Sequence, residues 1–276
     1  LRIAPSNSAE FGVTFKRMDG CTEAELRSEV QRLHALRFDL FKGPLHRFIL
    51  LSRSAEDHIL LLTFHHIAVD ATSVGIVMDE FMTCYSAAAA GKQPDLAPVK
   101  RDYARFVAEQ REMMGGDRGA ALRAWWKEKL AEPIPVLELP FDKPRPEYGR
   151  SEGDSLWLTL DTDTIDGIRA LAHAEHTTVY VVLVATFALL LAKYSGQDDL
   201  IISTPMLGRV HPQDTHLVGY LISPSLLRIK IDRSQTFEEF LQVVRKIVIE
   251  AIDHQEYPLA ALIEEFKPRR LPGRLH

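Results

Sequence analysis

Two adjacent histidines, His65 and His66, with an aspartate at Asp70, are the residues of this chain best suited to chemistry. Imidazole titrates near neutral pH, so a histidine can accept a proton and return it within one turnover. The Asp70 carboxylate can pair with the same imidazole or with a cation from a distant part of the chain. A lone histidine at a strand end is more often a hydrogen-bonded structural residue than a catalyst. The doubled histidine followed by an aspartate raises the weight of a functional reading.

The elements that must hold these groups can be read on either side. Ile59 to Phe64 is a run of apolar and β-branched residues of strand length, which predicts a buried strand ending at the histidines. Thr72 to Ala90 carries a helical pattern, with Val74, Val77, Met78, Phe81 and Tyr85 on one face. A cluster at a strand-to-helix junction is pinned from both sides, which suits reacting groups.

The segment His65-His66-Ile67-Ala68-Val69-Asp70-Ala71 resembles the HHxxxDG signature of the condensation domains of nonribosomal peptide synthetases. Further segments similar to that family follow in order. Phe38 to Leu45 resembles the lead-in before the histidines, and Asp102-Tyr103-Ala104-Arg105-Phe106 the aspartate-tyrosine segment after them. Leu139 to Pro146 resembles the proline-rich crossing. Thr204 to Arg209 and Val218 to Pro224 resemble the later core motif, and His254 to Leu259 the HQxxPF segment. The resemblance spans nearly the whole chain.

It implies an α/β (α+β) chain of two lobes like chloramphenicol acetyltransferase, set in a V with a tunnel between them. The expected division is an N-terminal lobe over 1–140 carrying the histidine loop, a crossing over 141–153, and a partial C-terminal lobe over 154–276. The implied activity is an acyltransferase-type condensation. The amine of a carrier-bound aminoacyl thioester attacks a carrier-bound donor thioester and forms an amide. The implied partners are donor and acceptor peptidyl carrier proteins with phosphopantetheine arms, and a neighbouring adenylation domain. No cofactor, metal, nucleic acid or membrane is implied, and the expected compartment is the cytoplasm. Alternatives are an epimerisation domain, a coenzyme A-dependent acyltransferase, and a non-catalytic module that docks carriers.

Within that resemblance His66 takes the proton or aligns the attacking nitrogen, and His65 orients the loop. Asp70 holds the loop through an ion pair for which Arg209 is the nominated partner. Ala71, Ser73, Gly219, Tyr220 and Ser223 are expected along the substrate tunnel. Two positions depart from the family pattern: Ala71 replaces its glycine and Ser223 its asparagine. If the backbone at 71 needs a positive φ, alanine brings strain of about 1 kcal/mol. No arginine-histidine-glutamate motif of the family precedes the first lobe, and the second lobe is expected to run further, so the chain reads as the middle of such a domain.

Composition bounds the reading. The 276 residues are 46% apolar and 26% charged, the profile of a globular protein. A net charge of −5 argues against nucleic acid or an anionic membrane as the main partner. Cys21 and Cys84 are far apart with no metal-type spacing, which fits a reducing compartment. Val179 to Ala192 is too short to span a bilayer and reads as a core helix. His173 and His176 lack a third ligand and read as solvated helix residues, and His211 and His216 as loop residues.

Other elements follow from pattern. Phe11 to Met18 reads as a strand, and Thr22 with Glu25 as a capping box opening a helix with Leu26, Val30 and Leu33 inward. Leu45 to Ser52 reads as a strand, and Arg53 to Asp57 as a hairpin loop. Asp102 to Met114 and Arg118 to Leu130 read as helices, with one of Trp125 and Trp126 in the core and the other over a lobe junction. Pro133, Pro135, Pro140, Pro144 and Pro146 exclude regular structure. Leu156 to Leu160 alternates as a strand, and helices are expected from Asp161 or Thr162 to about His176 and from Val179 to Tyr194. Leu200 to Ser203 reads as a short strand, Pro205 to His216 as a loop, and Ser225 to Ile231 as a strand. Phe237 to Ala251 carries the apolar stripe of a core helix. The basic stretch from Lys267 reads as a disordered end or a contact for an acidic carrier.

Overall fold

The computed structural model describes residues 12–143 and 155–267. They fall into two compact units: the chain up to Tyr103 with Gln213–Leu221, and Ala104–Pro212 with Ile222 onward. This division falls at Tyr103, whereas the sequence places the lobe boundary at 140. The difference arises because the two helices after Tyr103 pack with the C-terminal helices, and because a later strip returns to the first unit. Most of the expected crossing, and the basic stretch after Lys267, lie outside the described residues.

In the first unit, β1 (Val13–Arg17), α1 (Glu23–His34) and β2 (His46–Ser52) make a strand-helix-strand crossover, and β3 (His58–Phe64) returns antiparallel to β2. The strand order is β1-β2-β3. Thr22 and Glu25 form the capping box expected from their spacing, each side chain taking up a main-chain N–H that the helix start leaves unpaired. Leu26 and Leu33 of α1 pack on Ile49 and Leu51 of β2, with Val30, Ile59 and Leu61 at the margin. Each such buried aliphatic side chain contributes about 1.5–3 kcal/mol of transfer free energy. That core gives β3 a firm seat, and the histidine loop begins where β3 ends. The next helix, α2 (Ala71–Ala89), starts from Asp70. Its predicted apolar face is largely exposed, with Phe81 and Tyr85 stacked at 6.1 Å.

The second unit holds α3 (Tyr103–Gly115, from Ala104 on), α4 (Asp117–Lys129), α5 (Thr162–Ala174), α6 (Val179–Ser195), α7 (Phe237–Asp253) and α8 (Leu259–Phe266) around a two-stranded antiparallel sheet of β4 (Asp199–Met206) and β5 (Ser223–Lys230). Leu227 and Ile229 of β5 meet Val244 and Leu241 of α7, and α7 packs against Ala185 and Ala188 of α6. Trp126, Leu122 and Leu130 of α4 form a second cluster with Tyr257 and Leu262. Trp126 is the core member of its pair, and Trp125 stacks on His254 at 3.8 Å inside this unit. Arg228 spends its whole guanidinium on Asp199 and on the carbonyls of Lys129, Ala131 and Pro133, tying the chain after α4 to the sheet.

Three expectations are corrected here. Leu156 to Leu160 forms no strand and lies exposed, with Trp157 at 90%. Alternation supplies a strand with two faces but no hydrogen-bond ladder, and no described strand pairs with it. The loop expected from Pro205 starts later, because β4 runs to Met206 with Pro205 opposite Pro224. In a two-stranded sheet both strands are edges, where proline is tolerated. Finally, α6 is buried on one face only: Val181, Ala185, Ala188 and Ala192 face the core, while Leu183, Phe187, Leu190 and Tyr194 are open. Among the described residues no single helix is long and apolar enough to cross a membrane.

Candidate active site

The chain leaves β3 at Phe64 and makes a tight turn in which the Ala68 N–H donates to the His65 carbonyl at 2.9 Å. The His65 N–H donates to the Leu45 carbonyl at 2.9 Å, which fastens the turn to the strand lead-in. The two imidazoles then take opposite hydrogen-bonding roles. His65 Nδ1 accepts the Ile67 main-chain N–H at 3.2 Å, so that nitrogen is bare. His66 Nδ1 meets the Val69 carbonyl at 2.8 Å, and a carbonyl only accepts, so His66 Nδ1 carries the proton. The lone pair of neutral His66 therefore sits on Nε2. His65 is half-buried with the Phe38 ring edge-on at 5.9 Å, while His66 is exposed and has the Tyr220 ring edge-on at 5.6 Å. One histidine shapes the turn, and the other presents a basic nitrogen at its surface.

Asp70 is 2% exposed and caps α2. Its Oδ1 accepts the Ser73 N–H at 2.8 Å, satisfying one of the amides that a helix start leaves unpaired. Its Oδ2 accepts the Leu221 N–H at 3.0 Å, and its own N–H donates to the Gly219 carbonyl at 3.1 Å. Ser73 completes the clamp: its hydroxyl donates to the Gly219 carbonyl at 2.8 Å and accepts the Gly219 N–H at 3.0 Å. The strip Leu217–Leu221 is thus laced to the start of α2 from both sides. The helix N-terminus favours the negative charge held there.

Tyr103 closes the strip from the other side. Its hydroxyl donates to the Tyr220 carbonyl at 3.0 Å, and a Cβ at Gly219 would come within 2.3 Å of its ring. Burial first, then the charge of Asp70 and the neighbouring Tyr220, push the Tyr103 phenol above its ordinary range.

His65, His66, Asp70, Ala71, Ser73, Gly219 and Tyr220 all lie in the first unit, and Arg209 and Ser223 in the second. Ser73 and Gly219, expected along a tunnel wall, are buried and committed to each other, so they hold the loop from behind. Tyr220 and Ala71 are exposed. Ala71 is the first residue of α2 and is not among the described residues with positive φ, so the strain expected from replacing glycine is absent. Arg209 donates to the Leu207 carbonyl at 3.4 Å, and Ser223 pairs with Met206 across the β4–β5 ladder. Sequence reasoning missed the Val69 carbonyl and Leu221 amide, and gave Tyr103 no role. In the fold, buried Leu217, Gly219 and Leu221 alternate with exposed Val218 and Tyr220, a pattern that the apolar sequence of this strip does not display. No cluster of three His, Cys, Asp or Glu side chains among the described residues is placed to hold a metal.

The profile of the condensation domain family matches residues 4–273. The chain belongs to the condensation domain family. It is 32% identical over 270 residues to malpinin synthetase of Mortierella alpina, covering 98% of this chain and 4% of that protein. It is 34% identical over 260 residues to surfactin synthase subunit 1 of Bacillus subtilis (strain 168), covering 94% of this chain and 7% of that protein. The chain thus spans a small fraction of the length of the curated relatives it matches. Among solved structures, the X-domain from teicoplanin biosynthesis superposes with a TM-score of 0.84 at 24% identity, over 95% of this chain and 59% of that one. The first condensation domain of the calcium-dependent antibiotic synthetase, solved with a substrate analogue, superposes at 0.69 and 21%, over 92% and 58%. The α/β fold is that of the condensation domains.

Proposed function

We propose that this condensation domain joins two carrier-bound thioesters into an amide, with His66 as the group that handles the proton. The observation that carries the reading is the tautomer of His66: the Val69 carbonyl holds the proton on Nδ1, leaving the lone pair of this exposed residue on Nε2. In the step envisaged, the acceptor amine attacks the donor thioester carbonyl. A C–N bond forms, the C–S bond breaks, and the amine proton passes through His66 Nε2 to the departing thiolate. A thioester is already electrophilic, so orientation of the two arms supplies a large part of the catalysis, about 7–11 kcal/mol in well-aligned cases.

Asp70 supports the turn by accepting the Ser73 and Leu221 main-chain amides, which holds the loop in register. Ala71 and Tyr220, both exposed beside the turn, are the residues nominated to meet the arms. The partners are donor and acceptor carrier proteins bearing phosphopantetheine, with an adenylation domain in the same synthetase. The same reading puts the protein in the cytoplasm, where the free Cys21 and Cys84 stay reduced.

The test is to load purified donor and acceptor carriers, add the intact protein, and follow the acceptor carrier by intact-mass spectrometry. Amide product is expected, and His66→Ala should slow it by about 100-fold or more if His66 moves the proton. No product from well-folded wild-type protein removes the function, and a wild-type rate in His66→Ala removes the proton role.

A further inference from the structure

Outside the histidine turn, the first unit contains a buried ion pair that the proposed chemistry does not use. Arg101 Nη1 donates to Asp214 Oδ1, and the two side chains are 4% and 0% exposed. A buried ion pair is a poor device for stability alone, because desolvation offsets its attraction and an apolar pair of equal volume often serves as well. Its placement suggests another use. Asp214 ends the short 3-10 turn Pro212–Asp214, and its carbonyl accepts the Leu217 N–H at 3.0 Å. It therefore anchors the upstream end of the Leu217–Leu221 strip. Arg101 stands two residues before Tyr103, whose ring and hydroxyl hold the middle of the same strip.

We propose that Arg101 and Asp214 are a positioning pair. By fixing the turn that feeds Leu217–Leu221, they set where the Gly219 and Leu221 main-chain groups meet Ser73 and Asp70, and so fix the base of the His66 turn. Neither residue touches the reacting atoms. An ion pair suits this task because the guanidinium N–H donates to the carboxylate in a directional hydrogen bond, whereas an apolar contact slides. Its effect on turnover rests on the proposed condensation reaction, while its effect on the strip does not.

The experiment compares Asp214→Asn, Arg101→Lys and the volume-matched double variant Arg101→Met/Asp214→Leu in the intact protein. Two quantities are read: hydrogen–deuterium exchange across residues 214–222, and kcat and KM for amide formation. The Gly219 and Leu221 amides donate to Ser73 and Asp70, so they report the clamp directly. Asp214→Asn should speed exchange there on the order of tenfold while β2 and β3 keep wild-type protection. Turnover should fall about tenfold with KM for the loaded carriers little changed. Arg101→Lys, which keeps the charge and loses the fork, should be intermediate, and it decides the matter if Asp214→Asn does not fold. Unchanged exchange at 214–222 in the single variants overturns the proposal, as does wild-type exchange and turnover in the double variant. If wild-type protein makes no amide at all, the condensation reading fails, and the exchange measurement still judges the pair.

Discussion

Gly219→Ala tests the clamp behind the histidine turn at its tightest point. Gly219 is not among the described glycines with positive φ, so alanine meets no backbone penalty there. Taken alone, that change would stabilise the protein by about 0.4–1 kcal/mol through the unfolded chain. The Tyr103 ring reverses the sign, because the new Cβ would lie 2.3 Å from Cδ2 and 2.6 Å from Cε2. Something must move. If the ring yields, overpacking costs about 1–3 kcal/mol. If the strip yields, the Leu221 N–H leaves the Asp70 carboxylate, at a further cost of about 1–3 kcal/mol for an unsatisfied buried group. With the unfolded-chain gain subtracted, the expected net loss is about 0.5–2.5 kcal/mol if only the ring yields and about 1.5–5 kcal/mol if the strip yields as well. Chemical denaturation of the single variants and of Gly219→Ala in a Tyr103→Ala background checks it. With the ring gone the alanine should be nearly neutral, giving a coupling of about 1 kcal/mol or more. A cost below about 0.5 kcal/mol, or the same cost in both backgrounds, would refute the steric reasoning.

Three further outcomes follow from the geometry. The Tyr103 phenol, raised above 10 by burial and by Asp70 and Tyr220, favours its neutral form in the fold, so its stabilising contribution is full below about pH 10 and is lost as pH climbs through the higher folded value. Difference absorbance at 295 nm between wild type and Tyr103→Phe reads this, and a normal midpoint near 10 would contradict it. Ala71→Gly, which restores the family residue at a helical position, should lower stability by about 0.5 kcal/mol. A rise in melting temperature would reveal strain at Ala71 after all. Arg228→Met strands Asp199 and leaves three carbonyls without their donor, which should cost about 2–4 kcal/mol in urea unfolding. A loss below about 1 kcal/mol would mean that water replaces those contacts.

The fold could be read from the sequence wherever the signal was local. The capping box at Thr22 and Glu25, the aspartate cap at Asp161 and the apolar stripe of α7 each state their structure within one or two turns of chain. Failures came where the outcome depends on a partner. Leu156 to Leu160 has a strand's alternation, but a strand exists only when another backbone accepts its hydrogen bonds. Pro205 reads as a breaker until its neighbour across the ladder proves to be Pro224, at an edge where no amide is required. In α6 the sequence is apolar all round, and it is side-chain size that selects the buried face. Ala185 and Ala188 let α7 approach closely, and larger residues such as Leu183, Phe187 and Leu190 are left outside.

The site divides along the same line. His65, His66 and Asp70 announce themselves by type and spacing, yet what each does is decided by main-chain groups that carry no residue identity. The His66 tautomer is set by a carbonyl that any residue at position 69 would provide, and Asp70 is satisfied by two amides, one of them 151 residues away at Leu221. Such contacts leave a trace only where the backbone needs room, and here the trace is the missing side chain at Gly219 opposite Tyr103. Even the departure at Ala71 resolves through context, since a residue that begins a helix has no need of glycine's freedom. A change of residue within a family motif therefore has to be weighed against the backbone conformation at that position. By that measure Ala71 is no sign of a failed site, and the part of the loop that can fail is the clamp that Gly219, Ser73 and Asp70 build behind the histidine.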